Sequence, residues 1–245
     1  MSNYYWENLG FWQSNETSYE KAARQLAVWV GEHADLRASS RLLDLGCGTG
    51  AQIKLWEQQY KVSNILGIEI DPAKLKNLIA LYADNQKITF QANLEEIETD
   101  ECKFDRFIFV DCIYFFDNKE KLVESLIAQL PAKGVGVWTD FLVSRNLALK
   151  PIFLLISLLS NMPFENWQSQ EGSEKYLSKF ATIGVQTYDL TSQVLSGYTS
   201  GRIYSADDPK VLKIRKFGTK LIMLFLLKLK AIEYVGFKIT KKARE

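Results

Sequence analysis

Three glycines at alternate positions, Gly46, Gly48 and Gly50, follow an apolar run holding one acid, Asp44, in the stretch Arg-Leu-Leu-Asp-Leu-Gly-Cys-Gly-Thr-Gly. Lacking Cβ atoms, they let the backbone turn sharply with a flat ligand pressed against it. A carboxylate just before such a turn can fix an ammonium, directly or through water, and repels a pyrophosphate. About twenty residues further on, Glu69 closes a second apolar run over residues 62–70. Two carboxylate oxygens there can accept both hydroxyl protons of a ribose.

These residues need a scaffold. Leu42, Leu43 and Leu45 suit a buried parallel strand. Further strands are expected at 62–70, 88–91, 104–110 and 135–140, the last after the loop Leu130-Pro131-Ala132-Lys133-Gly134. Strand and helix patterns that alternate in this way demand a parallel sheet with helices on both faces. Asp71 is expected to cap the helix after the second strand, with Pro72 in its first turn. Gly46, Gly48 and Ala51 also satisfy the dinucleotide pattern G-x-G-x-x-G/A, so Asp44 is what separates a methionine-bearing cofactor from a nicotinamide one.

The Asp-x-Gly-x-Gly-x-Gly turn resembles motif I of the class I S-adenosylmethionine-dependent methyltransferases. With the later matches in order, the chain is similar to their small-molecule group, including the ubiquinone/menaquinone and tocopherol methyltransferase-like families. The resemblance implies an α/β, Rossmann-like fold: a seven-stranded, mostly parallel sheet with an antiparallel last strand, helices on both faces and a helical lid. S-adenosyl-L-methionine would lie across the carboxyl ends of strands one to four, against Asp44, Gly46, Cys47, Gly48, Gly50, Glu69, Ile70, Asn93, Leu94, Val110 and Asp111. Asn93 stands where the family commonly has Asp, and its amide oxygen still accepts from the adenine amine. Leu94 would offer its N–H to the purine and its side chain to the ring face; the other reading of residues 92–94 is an ordinary surface turn. Asp111 has two readings, holding the cofactor's amino group with the Val110 carbonyl or capping the next helix.

Phe104-Asp105 resembles the family's motif IV. Positions 114 and 115, which carry Glu or His in many small-molecule relatives, hold Tyr and Phe here. That departure takes away a side-chain base and points to an apolar or aromatic acceptor cavity. Tyr4, Tyr5, Trp6, Phe11 and Trp12 crowd ahead of a helix expected to start at the capping box Thr17-Ser18-Tyr19-Glu20. In relatives a segment of this look folds over the cofactor; alternatively these aromatics cap the core. An insertion helix within 147–162 is too short for a membrane span of about 20 residues. The acceptor is expected against Trp12, Phe115, Trp138, Phe153, Leu154 and Trp167, its proton passing to Tyr5, Tyr114 or Asp140. The single histidine, His33, should end the first helix, away from the glycine turn and without a catalytic part.

Composition fits one domain: 47% hydrophobic residues, with Lys+Arg 30 against Asp+Glu 29. The expected division is 1–35 lid and first helix, 41–140 cofactor core, 141–180 helical insertion and 181–245 last strands and helix. A near-neutral charge gives no footprint for nucleic acid. Cys47, Cys102 and Cys112 lack the spacing of a zinc site or a disulfide framework, so no metal is expected and the cytoplasm is the default compartment. The N-terminus lacks the basic and apolar regions of a signal peptide. A sixth strand is expected at 185–190 after a helix over 174–180, then a last helix from Asp207-Asp208-Pro209, and a seventh strand over 232–243. Ile214, Phe217, Leu221, Leu224 and Phe225 share one face of that last helix, beside Lys213, Lys216 and Lys220. Packing on the insertion helix is one reading of it and peripheral membrane contact the other. The expected function is metal-independent methyl transfer to an O, N or C atom of an apolar or aromatic small molecule. Its rivals are a quinone or lipid methyltransferase at a membrane surface and a non-catalytic S-adenosylmethionine-binding regulator or scaffold.

Overall fold

In the computed structural model, residues 4–13, 18–93, 104–143, 149–200 and 221–243 are described. Seven strands form one sheet in the order β3-β2-β1-β4-β5-β7-β6. They are β1 (Arg41–Leu45), β2 (Asn64–Ile68), β3 (Ile88–Gln91), β4 (Arg106–Phe109), β5 (Val135–Val143), β6 (Ile183–Asp189) and β7 (Ile232–Lys241). β1 pairs in parallel with both β2 and β4, while β7 runs antiparallel between β5 and β6. The strand order reverses at β1, and a ligand crevice opens beyond the carboxyl ends at such a switch point.

Alternation along β1 sets the two faces. Leu43 and Leu45 join one buried cluster with Phe107 and Phe109 from β4, and Leu42 joins the other, with Leu26, Val30 and Trp56. Asp44 therefore points to the Leu42 face, toward α2 (Ala51–Gln59), the helix that begins directly after the glycine turn. The remaining helices are α1 (Tyr19–His33), α3 (Pro72–Leu81), α4 (Lys119–Gln129), α5 (Lys150–Ser160), α6 (Gln170–Leu177) and α7 (Thr191–Ser200); residues 221–228 form α8.

Several boundaries move from expectation. α1 is capped by Ser18, in extended conformation with its hydroxyl accepting from the Lys21 N–H, one residue later than the Thr17 box. β2 stops at Ile68 and leaves Glu69 and Ile70 in the crevice. β5 continues to Val143 because β7 pairs with it all the way from Val135↔Thr240 to Val143↔Ile232. α6 starts at Gln170, after its Ser169 cap and four residues before the expected helix. β6 begins at Ile183, two residues early. Thr17, Leu94 and the helix start at residues 207–209 lie outside the described residues. Among the described residues no helix is long and apolar enough to cross a membrane.

Candidate cofactor and acceptor cleft

The glycine turn is built from left-handed backbone. Gly46, Gly48 and Gly50 have φ of 70°, 59° and 86°, conformations in which a Cβ is strained. Gly46 and Cys47 both donate to the Ile68 carbonyl, at 2.9 and 3.0 Å, which fastens the turn to the end of β2. Beside it opens a cleft of about 870 Å³ lined by Gly46, Cys47, Gly48, Glu69, Ile70, Asn93, Val110 and Asp111. Eight of the eleven expected cofactor residues thus share one cavity.

The other three fall elsewhere. Gly50 ends the turn as the left-handed residue before α2, pressed on Leu78 and Tyr4. Leu94 is outside the described residues. Asp44 lies under the cleft rather than in it, fully buried, with one oxygen accepting from Gln52 Nε2 and the other from Trp56 Nε1, both at 2.7 Å. Burial outweighs those two hydrogen bonds and lifts its carboxyl to about 7. Gln52, one turn before Trp56 on α2, does line the cleft, so Asp44 reaches it through that amide.

Glu69 is the best-placed acid. One oxygen accepts from the Gly48 N–H and the other from the Asp71 N–H, each at 2.8 Å. A carboxylate offers about four lone-pair sites, so both oxygens keep acceptor capacity for a diol. Asp71 caps α3 by accepting from the Ala73 and Lys74 N–H groups, as expected.

Asp111 lines the cleft beside Val110, and its capping reading is not met. Its φ is 59°, a left-handed conformation that Asp tolerates. It does not cap the short 3-10 turn Ile113–Phe115, whose cap position is Cys112. Its carboxylate lines the cleft and accepts from the Leu9 N–H at 2.6 Å, the Tyr114 hydroxyl at 2.7 Å and the Tyr234 hydroxyl at 2.5 Å. Burial dominates these bonds and raises the acid to about 6. Thr139 completes the network by accepting from the Asp111 N–H at 2.9 Å.

Residues 4–13 run across the cleft as a strap. Tyr5 exchanges two hydrogen bonds with the Thr49 hydroxyl, through its N–H and its carbonyl. Tyr5, Trp6, Glu7 and Asn8 line the cleft, and Glu7 pairs with Lys74 of α3 at 2.7 Å. Trp12, in contrast, is core. Its indole N–H donates to the Leu9 carbonyl, and its ring lies so close to Gly197 of α7 that a Cβ there would fall 1.9 Å away.

Most expected acceptor contacts are corrected. Phe115 lines the cleft and is 48% exposed. Tyr114, its neighbour on a 3-10 turn of three residues per revolution, is swung inward to Asp111. Trp138 and Asp140 share the face of β5 opposite Thr139: Trp138 stacks between Phe107 and Phe237, and Asp140 forms a buried ion pair with Lys119 at 2.6 Å. Phe153 packs on Trp167, whose indole donates to Ser157, so both stabilise α5 away from the cleft. Leu154 is exposed on the outer side of α5. Of Tyr5, Tyr114 and Asp140, Tyr5 alone lines the cleft. His33 stacks on Trp29 at the end of α1, away from it. Sequence reading missed Glu7, Lys74, Thr139 and Tyr234. It also missed Gln52 and Trp56, although their spacing of four residues on a helix was a legible signal that they share a face.

Residues 43–137 match the family model of the methyltransferase domain. Erythromycin 3''-O-methyltransferase of Saccharopolyspora erythraea is 23% identical over 200 residues, covering 77% of this chain and 65% of that protein. Two further O-methyltransferases match over less of their own length, 45% and 47%. Among solved structures, geranyl diphosphate C-methyltransferase of Streptomyces coelicolor A3(2) superposes with a TM-score of 0.77 at 13% identity, over 96% of this chain and 87% of that one. A mycolic acid cyclopropane synthase complexed with SAH and CTAB gives 0.76 at 16% identity, over 96% and 90%. At these identities the structures show the shared fold. Through the domain match over residues 43–137 and the glycine turn, the chain is similar to the class I S-adenosylmethionine-dependent methyltransferases.

Proposed function

We propose that the protein transfers the methyl group of S-adenosylmethionine to an apolar or aromatic small molecule. The observation that carries this is one cleft lined both by the left-handed glycine turn with Glu69 and by the aromatic side chains Tyr5 and Phe115. Its volume is at the upper end of the range for small-molecule sites, enough for two reactants. Gly46, Gly48, Glu69, Asn93 and the Val110 to Asp111 corner would hold the cofactor, with Asp44 acting beneath them through Gln52. The cofactor brings a methyl group already activated on a sulfonium. What the chain supplies is alignment, and such alignment lowers a barrier by roughly 7–11 kcal/mol. The strap and Phe115 exclude water, and the Tyr5 hydroxyl is the retained candidate to receive the acceptor's proton. The relatives named O-methyltransferases favour oxygen as the nucleophile.

A second reading, a lipid or quinone acceptor met at a membrane surface, is favoured by one feature. Leu154, Leu155 and Leu158 of α5, and Leu221 and Phe225 of α8, are exposed. Both reactions are tested by following methyl-labelled S-adenosylmethionine against sugar hydroxyls, phenols and a quinol in detergent or liposomes. Labelled product from a soluble acceptor supports the first reading, and product only from the liposome-borne quinol the second. Cofactor binding with no product from any acceptor supports a regulatory or scaffold role.

A further inference from the structure

Gly48 is flanked by two carboxylates. Glu69 accepts from its N–H at 2.8 Å, and Glu7 Oε2 lies 2.7 Å from where a Cβ on residue 48 would stand. Glu7 also grips Lys74, with both carboxylate oxygens on Nζ at 2.7 and 2.9 Å. Burial works against a charge on Lys74, but Glu7 and then Glu69 outweigh it and raise its pKa, so the ammonium is held charged at the cleft.

Helix stability does not account for this lysine. It is the third residue of α3, in the first turn, where the positive end of the helix dipole disfavours a cation. Nor is the contact a loose surface pair, because the Glu7 segment is pinned on either side by Tyr5 to Thr49 and by Leu9 to Asp111. Among the described cleft-lining residues Lys74 is the one cation. A ribose diol offers two hydroxyl protons and two acceptor oxygens. Glu69 serves the protons, and a donor is needed for the oxygens.

We propose that Lys74 is a second ribose-holding residue, donating to the diol that Glu69 accepts from, and that Glu7 of the strap positions its ammonium over the glycine turn. This rests on the reading of the cleft as the cofactor site. It makes the strap part of nucleoside recognition as well as a cover for the acceptor.

The experiment is calorimetry with S-adenosylhomocysteine and its 2′,3′-dideoxy analogue on wild type, Lys74→Met, Lys74→Arg, Glu7→Gln and Glu69→Ala. Lys74→Met should weaken S-adenosylhomocysteine about tenfold or more, the scale of a charge-assisted hydrogen bond, and leave the dideoxy analogue unchanged. Lys74→Arg should recover most of the loss, and Glu7→Gln should lose less than Lys74→Met. Should Glu69→Ala weaken binding while Lys74→Met matches wild type, or weakens both ligands equally, the assignment of Lys74 is overturned. Wild type that fails to bind S-adenosylhomocysteine overturns the cofactor reading beneath it.

Discussion

The main-chain N–H of Leu9 donates to the carboxylate of Asp111 at 2.6 Å, across 102 residues of sequence. That one bond ties the strap to the carboxyl end of β4. The same carboxylate takes the hydroxyls of Tyr114 and of Tyr234 from β7, so three distant parts of the chain meet on a single acid. Because Asn8 and Trp12 are buried, deleting residues 1–12 would remove core as well as lid, and point substitutions are the cleaner probes.

Two buried acids make stability depend on pH. Burial raises Asp44 to about 7 and Asp111 to about 6 from an ordinary value of 3.8. The folded chain thus holds these protons more tightly than the unfolded chain. Their stabilising contribution is complete below about pH 4 and is lost as pH rises to 6–7. Asn cannot ionise, so the Tm of Asp44→Asn relative to wild type should climb between pH 4 and pH 7.5. A difference that stays flat over that range would refute the assignment.

Cofactor affinity should follow the glycine turn. Gly48→Val puts a branched side chain at φ 59°, with its Cβ 2.7 Å from a Glu7 oxygen, and should abolish S-adenosylhomocysteine binding by calorimetry. Glu69→Ala should cost about 1–3 kcal/mol through lost charge-assisted hydrogen bonds. NAD should not bind either protein. Unchanged affinity in Gly48→Val would remove the turn from the site.

Phe115 and Phe153 separate the cleft from the core. Phe115→Ala trims an exposed cleft wall and should raise KM for the acceptor roughly tenfold while thermal stability is kept, on the scale of a half-covered aromatic ring. Phe153→Ala removes a buried ring packed at a tilt against Trp167 and should lower stability by about 3–5 kcal/mol. Equal effects of the two on KM would mean that the insertion helix does line the acceptor site.

The Lys119 to Asp140 pair should behave as structure. Nζ also donates to the Asn166 carbonyl at 2.7 Å, and Asp140 accepts from the Phe141 N–H, so both charges have further hydrogen-bond partners in a buried place. Lys119→Met leaves a buried carboxylate without its partner and should cost about 3–5 kcal/mol in denaturant unfolding. Retained stability with lost turnover would return Asp140 to the chemistry.

The cofactor half of the cleft was legible because it is local. One strand, three glycines and an acid at the next strand's end lie within thirty residues, and their types state their geometry. The acceptor half was not, since it depends on which way neighbouring side chains point. Tyr114 and Phe115 are adjacent in sequence, yet a 3-10 turn sends one to Asp111 and the other to the cleft. Strand alternation on β5 likewise turned Trp138 and Asp140 away, a result that becomes clear only once Thr139 is known to face Asp111. Glu7, Lys74 and Tyr234 carry no motif, and tertiary contact alone gives them a place.

The strap's anchors at positions 5 and 9 are made by its backbone. Thr49 engages the N–H and carbonyl of residue 5, and Asp111 engages the N–H of residue 9; none of these three bonds asks for a particular side chain on the strap. Any residue but proline at position 9 can make that anchor. These anchors are therefore independent of which side chains stand at positions 5 and 9. Tyr5, exposed in the cleft, can thus be exchanged for another side chain while the hydrogen bonds of the latch stay in place.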